Sequence, residues 1–314
     1  MNAILNPHRG IFTPDSIPWS PMKLIGRILL LSLGIAAYLV MAWKVSPFEN
    51  LSQTQLLGQV AAIIVAFAVA CVPSLRIAMD RPVSNQPQPL LSLAVAVISI
   101  GIFISSAHFE GRFGAPLIHD ELMFHTQATF LAHGRLWMPQ HPLADFFQTF
   151  HILVKPVYAP MSFPGTAIFY VPAVWTGLPL WITSLLIAGG VVGLIHRIAT
   201  QIFDRRIALL AALLAASSQG MRTQSIEIFP YLPAVLLELA MLWAWLRWHQ
   251  SPKPRWAFLA GIFAGWALIT RPLDALCFII PLAIAVIWRL PRLPARKRFT
   301  TAALAIAATL PFIS

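Results

Sequence analysis

Two stretches of this chain, Ile28 to Trp43 and Leu90 to Phe109, contain no Asp, Glu, Lys or Arg. About 20 apolar residues cross the hydrocarbon of a bilayer as a helix, where every backbone polar group must be satisfied within the segment. With 58% hydrophobic and 11% charged residues over 314 positions, and a mean hydropathy of +0.74, such runs exclude an ordinary soluble domain. The sequence predicts an all-α, polytopic transmembrane helical protein of about nine spanning helices, with amphipathic juxtamembrane helices in one large outer loop. Tryptophans near the ends of the runs, among them Trp43, Trp248, Trp256 and Trp288, suit an interfacial aromatic belt.

The apolar segments fall at about 22–43, 55–79, 90–109, 164–178, 179–196, 207–225, 229–247, 256–270, 273–290 and 299–314. Residues 1–21 read as a proline-punctuated cytoplasmic leader, and 22–314 as one transmembrane domain. Polar and proline residues precede the first run and there is no small-residue cleavage site, so an uncleaved first helix is expected. Residues 80–89, Asp-Arg-Pro-Val-Ser-Asn-Gln-Pro-Gln-Pro, form a loop that no helix accommodates. Cys71 and Cys277 lie inside apolar runs without metal-ligand spacing. The net charge of +11 comes from basic residues between apolar runs, with no patch interleaved with aromatics, which argues against nucleic acid as a partner.

Segment 164–178 is short and holds Pro164 and Pro172, and it decides the topology. If it stays on the outer side, 16 of the 22 basic residues lie in inner loops; if it crosses, 7 do. Positive residues favour the inner side, so the non-crossing arrangement is expected. It puts an outer catalytic loop at about 110–178 on the same face as the 220–229 connection and the Thr270-Arg271-Pro272 turn. The basic run from Arg289 to Arg298 then faces inward, where it either meets anionic headgroups or serves as a topology signal.

Polar chemistry concentrates in 110–163, which holds five of the nine histidines and the run His119-Asp120-Glu121-Leu122-Met123-Phe124-His125. From Asp120 to His133 the spacing predicts a helix, with Phe124, Ala128 and Leu131 on one stripe and Gly134 as its C-terminal cap. Asp120 then sits in the first turn, where the helix dipole favours a carboxylate. Glu121 and His125 are four apart and are expected to share a face. The alternative is that both acids merely cap and solvate the helix end. Zinc ligation by the histidines is disfavoured, because they share no helical spacing and no His-Glu-x-x-His pair occurs.

Several ordered motifs carry a family resemblance. Asp120-Glu121, Gly134-Arg135 and His141-Pro142 resemble the first outer loop of protein O-mannosyltransferases. Lys155 through Tyr158 to Gly165 is similar to the Lys-Tyr-Pro-Pro-Gly stretch of bacterial glycosyltransferase family 39 members, including the lipid A aminoarabinose transferase group. Arg205-Arg206 before an Ala/Leu helix, and Gly261 through Gly265 to Thr270-Arg271-Pro272, extend the likeness over roughly 90–290. It points to the GT-C class of membrane glycosyltransferases.

The resemblance implies an enzyme that moves a sugar from a polyprenyl-phosphate donor to a glycan, lipid or protein hydroxyl acceptor, with inversion, on the outer face of a bacterial inner membrane. It assigns Asp120 as general base with Glu121 beside it. For the donor phosphate it implies Lys155, with Arg271 and Arg222 as further cations on the outer face; a snorkelling role is the alternative for Lys155. His125, Arg135, His141, Tyr158 and Glu227 are secondary candidates. No metal ligand set is assigned, and a divalent cation remains an option that an Asp-Glu pair would serve. Glu238 lies within an apolar helix, as a functional acid or one bonded to a neighbouring helix.

The sequence departs from the pattern in two additional early apolar segments, a degenerate Lys-Tyr-Pro-Pro-Gly motif and an end at Ser314, so a C-terminally short or non-catalytic relative is one alternative. A transporter or lipid flippase using Glu238 and the proline-broken 164–178 segment is another.

Overall fold

The computed structural model describes residues 89–109, 111, 118–203, 205–289, 291 and 294–312, all within one unit, Leu57–Ser314. The leader 1–21 and the segments 22–43 and 55–79 lie outside the described residues. The described chain is mostly helical: α1 Pro89–Phe109, α2 His119–Ala132, α3 Gly165–Thr176, α4 Leu180–Ile202, α5 Arg205–Ser217, α6 Gln219–Gln224, α7 Tyr231–Gln250, α8 Pro254–Leu268, α9 Pro272–Arg289 and α10 Ala295–Thr309, followed by a 3-10 turn, Leu310–Phe312.

Small residues set the closest helix contacts, as expected where lipid supplies no hydrophobic drive between helices. A Cβ on Gly189 of α4 would fall 2.5 Å from the Ile100 side chain of α1, and one on Gly193 would fall 3.0 Å from Ala96 Cβ. The same α1–α4 seam carries a buried bond between Ser92 Oγ and His196 Nδ1, 2.9 Å long. Gly261 and Gly265 repeat the device on α8, where added side chains would meet Ala305 and Phe312 and where Thr309 Oγ1 donates to the Gly261 carbonyl at 3.1 Å. Helix α7 packs against both α4 and α8, and so joins the two seams.

Among the described residues, α1 and α4 are long and apolar enough to cross a membrane, where about nine spans were expected. The others fall short for a physical reason. Helices α5, α8 and α10 have 13, 15 and 15 residues, less than the ~20 a full crossing needs, and α7 carries Glu238 and Arg247. The outer surface of α1 is nonetheless apolar, with Leu93, Val97 and Ile98 exposed.

The 110–178 loop contains more than amphipathic helices. Strands β1 Met138–Pro139, β2 Ile152–Leu153 and β3 Val157–Pro160 form an antiparallel sheet in the order β1-β3-β2, with Met138 opposite Tyr158 and Ile152 opposite Pro160. The expected 207–225 segment is broken at Ser218, whose hydroxyl accepts from the Met221 amide and starts α6.

Helix α3 lies among elements from one end of the bundle. Its Gly165 amide donates to the Ile269 carbonyl at 2.8 Å, while Trp266 Nε1 donates to the Gly165 carbonyl at 2.8 Å. A side chain at Gly165 would collide with Thr270 and the Ile269 carbonyl, so only glycine permits this approach. At the other end of α3, Trp175 Nε1 donates to the Ala132 carbonyl of α2 at 2.8 Å.

Candidate functional site

Helix α2 opens at His119, which places Asp120 and Glu121 in its first turn. Neighbouring residues on an α-helix diverge by about 100°, so the two acids face different surroundings. Glu121 is buried, and its Oε1 accepts the Ile228 amide at 3.1 Å. Asp120 faces the small sheet, where its Oδ1 lies 3.0 Å from His151 Nε2. The two side chains keep 44% and 53% of their surface exposed, respectively, so a ligand can reach them.

His151 is held in position by its backbone. It adopts a left-handed conformation, φ 64°, which is uncommon outside glycine though less so for histidine. Its carbonyl accepts the Met161 amide at 2.9 Å, and the adjacent Thr149–Ile152 bridge closes the turn. His119 ties the same turn to α2, with its Nδ1 3.3 Å from Thr149 Oγ1 and its ring edge-on to Phe150. His151 is one of the five histidines of 110–163, and its sequence position gives no sign of a pairing with Asp120. No local spacing signals a contact made by a loop returning to the start of a helix.

Beneath the two acids runs a buried polar chain. Ser184 Oγ donates to the Glu227 carbonyl at 2.8 Å, which leaves the Tyr170 hydroxyl to donate to Ser184 across 3.0 Å. Burial pushes the Tyr170 phenol well above its usual range, and the charge of Glu121 adds to the shift. This network fixes α2, α3, α4 and the turn before α7 against one another.

The expected pairing of Glu121 with His125 is not the arrangement found: Glu121 turns inward to Ile228, while His125 is exposed. The helix itself runs as the spacing predicts, with Phe124 and Ala128 buried and Gly134 in the left-handed conformation just beyond it. Lys155 Nζ is 2.6 Å from Asp145 Oδ1, on the 3-10 turn Ala144–Phe147. Arg271 Nε is 2.7 Å from Asp274 Oδ2, and its guanidinium lies 4.6 Å over the Tyr231 ring. Arg222 is half-buried on α6, and its Nε meets no acceptor among the described residues.

The secondary candidates are dispersed. His141 Nδ1 accepts the Leu143 amide at 3.1 Å and its ring meets Phe147 edge-on, so it shapes the turn that carries Asp145. Tyr158 on β3 packs against Phe130 of α2. Arg135 is exposed after the α2 cap, and the Glu227 carbonyl is taken by Ser184.

Among the described residues no three of His, Cys, Asp and Glu converge as a metal ligand set. The histidines have separate partners: His119 meets Thr149, His133 the Thr129 carbonyl, His141 Leu143 and His151 Asp120. With Glu121 turned onto Ile228, the adjacent acids do not present the clustered oxygens that a hard divalent cation takes.

The sequence model of a family described as dolichyl-phosphate-mannose-protein mannosyltransferase matches residues 155–314. That stretch starts at Lys155 and leaves the Asp120–His151 pair before it. No curated protein and no solved structure matches the chain.

Proposed function

The chain belongs to the dolichyl-phosphate-mannose-protein mannosyltransferase family, a family of membrane glycosyltransferases of the GT-C type, and we propose that it transfers a sugar from a polyprenyl-phosphate donor to a hydroxyl-bearing acceptor. The observation that carries the proposal is the half-exposed Asp120 carboxylate, fixed at the first turn of α2 by His151 at 3.0 Å.

In this reading Asp120 accepts the proton of the acceptor hydroxyl as that oxygen attacks the anomeric carbon. The new carbon–oxygen bond forms on one face of the sugar while the bond to the phosphate oxygen breaks on the other, so the configuration inverts. His151 holds the carboxylate in position, and Glu121 anchors the helix that carries both acids through the Ile228 amide. The departing phosphate needs cations placed where its charge develops. Lys155 takes this role by exchanging the Asp145 carboxylate for the donor phosphate, with Arg271 and Arg222 as the further candidates.

The contacts of α3 with Ile269, Ser184 and Ala132 support the reading in which this segment does not cross the membrane and the outer loop, the turn before α7 and the Arg271 turn share one face. We place that face outside a bacterial inner membrane, with α1 and α4 among the spans of a multi-pass bundle. The test is incubation of purified protein with radiolabelled polyprenyl-phosphate sugars and candidate glycan, lipid and protein acceptors. Label transfer with inverted anomeric configuration is expected. Absence of transfer with every donor, together with lipid or ion movement in vesicles, would instead favour a transporter built around buried Glu238.

A further inference from the structure

At the end of the bundle opposite Asp120, three guanidinium groups gather without a counter-charge. Arg247 in the last turn of α7 and Arg255 in the first turn of α8 both lie over the ring of Trp256, 5.3 and 4.8 Å from its centroid. An aromatic face attracts a cation, yet two cations on one ring also repel each other. Arg197 on α4 lies within electrostatic reach of Arg247. Among the described residues none of the three is paired with a carboxylate.

The buried polar atoms around them point the same way. Arg197 Nη1 and the indole N–H groups of Trp243, Trp245 and Trp248 are buried with no acceptor among the described residues. Against these stands one unmatched acceptor, Gln201 Oε1. Leaving a buried donor unmatched is costly, so a surplus of donors beside uncompensated cations calls for an acceptor-rich anion.

The surroundings identify its source. Ile202, Phe203 and Phe258 are exposed and the neighbouring side chains are indoles, which suits a molecule with an anionic head and acyl chains better than a soluble ion. Basic pockets between helices at the inner side of a membrane take anionic headgroups in this way. We propose that the inner ends of α4, α7 and α8 bind the phosphate of an anionic membrane lipid through Arg197, Arg247 and Arg255. This site rests on the bundle lying in a bilayer and is independent of the transferase reading, because it is measured with no sugar donor present.

The test is native mass spectrometry of the purified full chain, titrated separately with phosphatidylglycerol and phosphatidylcholine, with and without millimolar inorganic phosphate. The expected result is retention of phosphatidylglycerol over phosphatidylcholine, weakened about fivefold by Arg247→Gln or by Arg255→Gln. Arg255→Lys, which keeps the charge, should retain most of the binding. Arg255 is exposed, so its substitution tests the site even where Arg247→Gln fails to fold. Equal retention of the two lipids, indifference to both glutamine variants, or full displacement by inorganic phosphate would overturn the proposal.

Discussion

Asp120 Oδ1 and His151 Nε2 lie 3.0 Å apart, across the junction between the first turn of α2 and the turn that precedes β2. The contact makes the carboxylate's orientation depend on a loop, and the loop's position depend on a helix terminus. Both partners are about half-exposed, so the pair contributes little to stability and matters mainly through what it positions.

Replacing His151 with Asn therefore separates the two effects. Asparagine tolerates the left-handed backbone, but its shorter side chain does not reach Asp120 in the same way. Turnover is expected to fall by roughly tenfold to a hundredfold, less than loss of the base itself, with the melting temperature unchanged. Unchanged turnover would mean that His151 does not position the carboxylate.

Glu121 should behave in the opposite manner. Its carboxylate is buried against the Ile228 amide, and Glu121→Ala leaves that donor unmatched at a cost of about 1–3 kcal/mol. Thermal unfolding in detergent should show the loss, whereas Glu121→Gln, which keeps an acceptor oxygen, should recover much of it. Equal stability of the alanine variant and wild type would contradict the inward orientation.

Lys155 bonds Asp145 in the resting protein, and the two substitutions there should diverge. Lys155→Met is expected to lower kcat/KM for the donor by about a hundredfold, the scale of losing one charge-stabilising group. Asp145→Asn, which frees the ammonium, should lower the donor KM. Steady-state kinetics with varied donor checks both, and a Lys155→Met enzyme with unaltered donor kinetics would return Lys155 to a purely interfacial role.

Tyr170 predicts an alkaline limit. Burial raises its ionisation above the ordinary value of about 10, so the neutral phenol is favoured by folding. Its contribution is complete below pH of about 10 and declines above it, because the unfolded chain then releases a proton that the folded chain retains. Wild type should lose stability above that pH more steeply than Tyr170→Phe, which has no proton to lose. Parallel pH profiles for the two proteins would exclude this role.

The parts of the fold and site that were legible in the sequence are those set by local rules. The span of α2 and the Gly134 cap follow from helical periodicity and a glycine placed two residues past the last helical residue, Ala132. Other features depend on tertiary position. Strands of two to four residues, such as β1 and β3, are too short to show alternation. Asp120 and Glu121 read as a pair because they are adjacent, yet helix rotation sends one to His151 and the other to Ile228. The stacking of Arg271 on Tyr231 and the pairing of Lys155 with Asp145 likewise require the packed chain.

The most direct test of the central claim is the rate of sugar transfer from a polyprenyl-phosphate donor by Asp120→Asn beside wild type. The substitution preserves size and leaves the amide within reach of His151, so folding should persist while the base is lost. A fall in kcat of about 10²–10⁴ is expected, with the same melting temperature. Transfer at the wild-type rate would contradict it and remove Asp120 from the reaction.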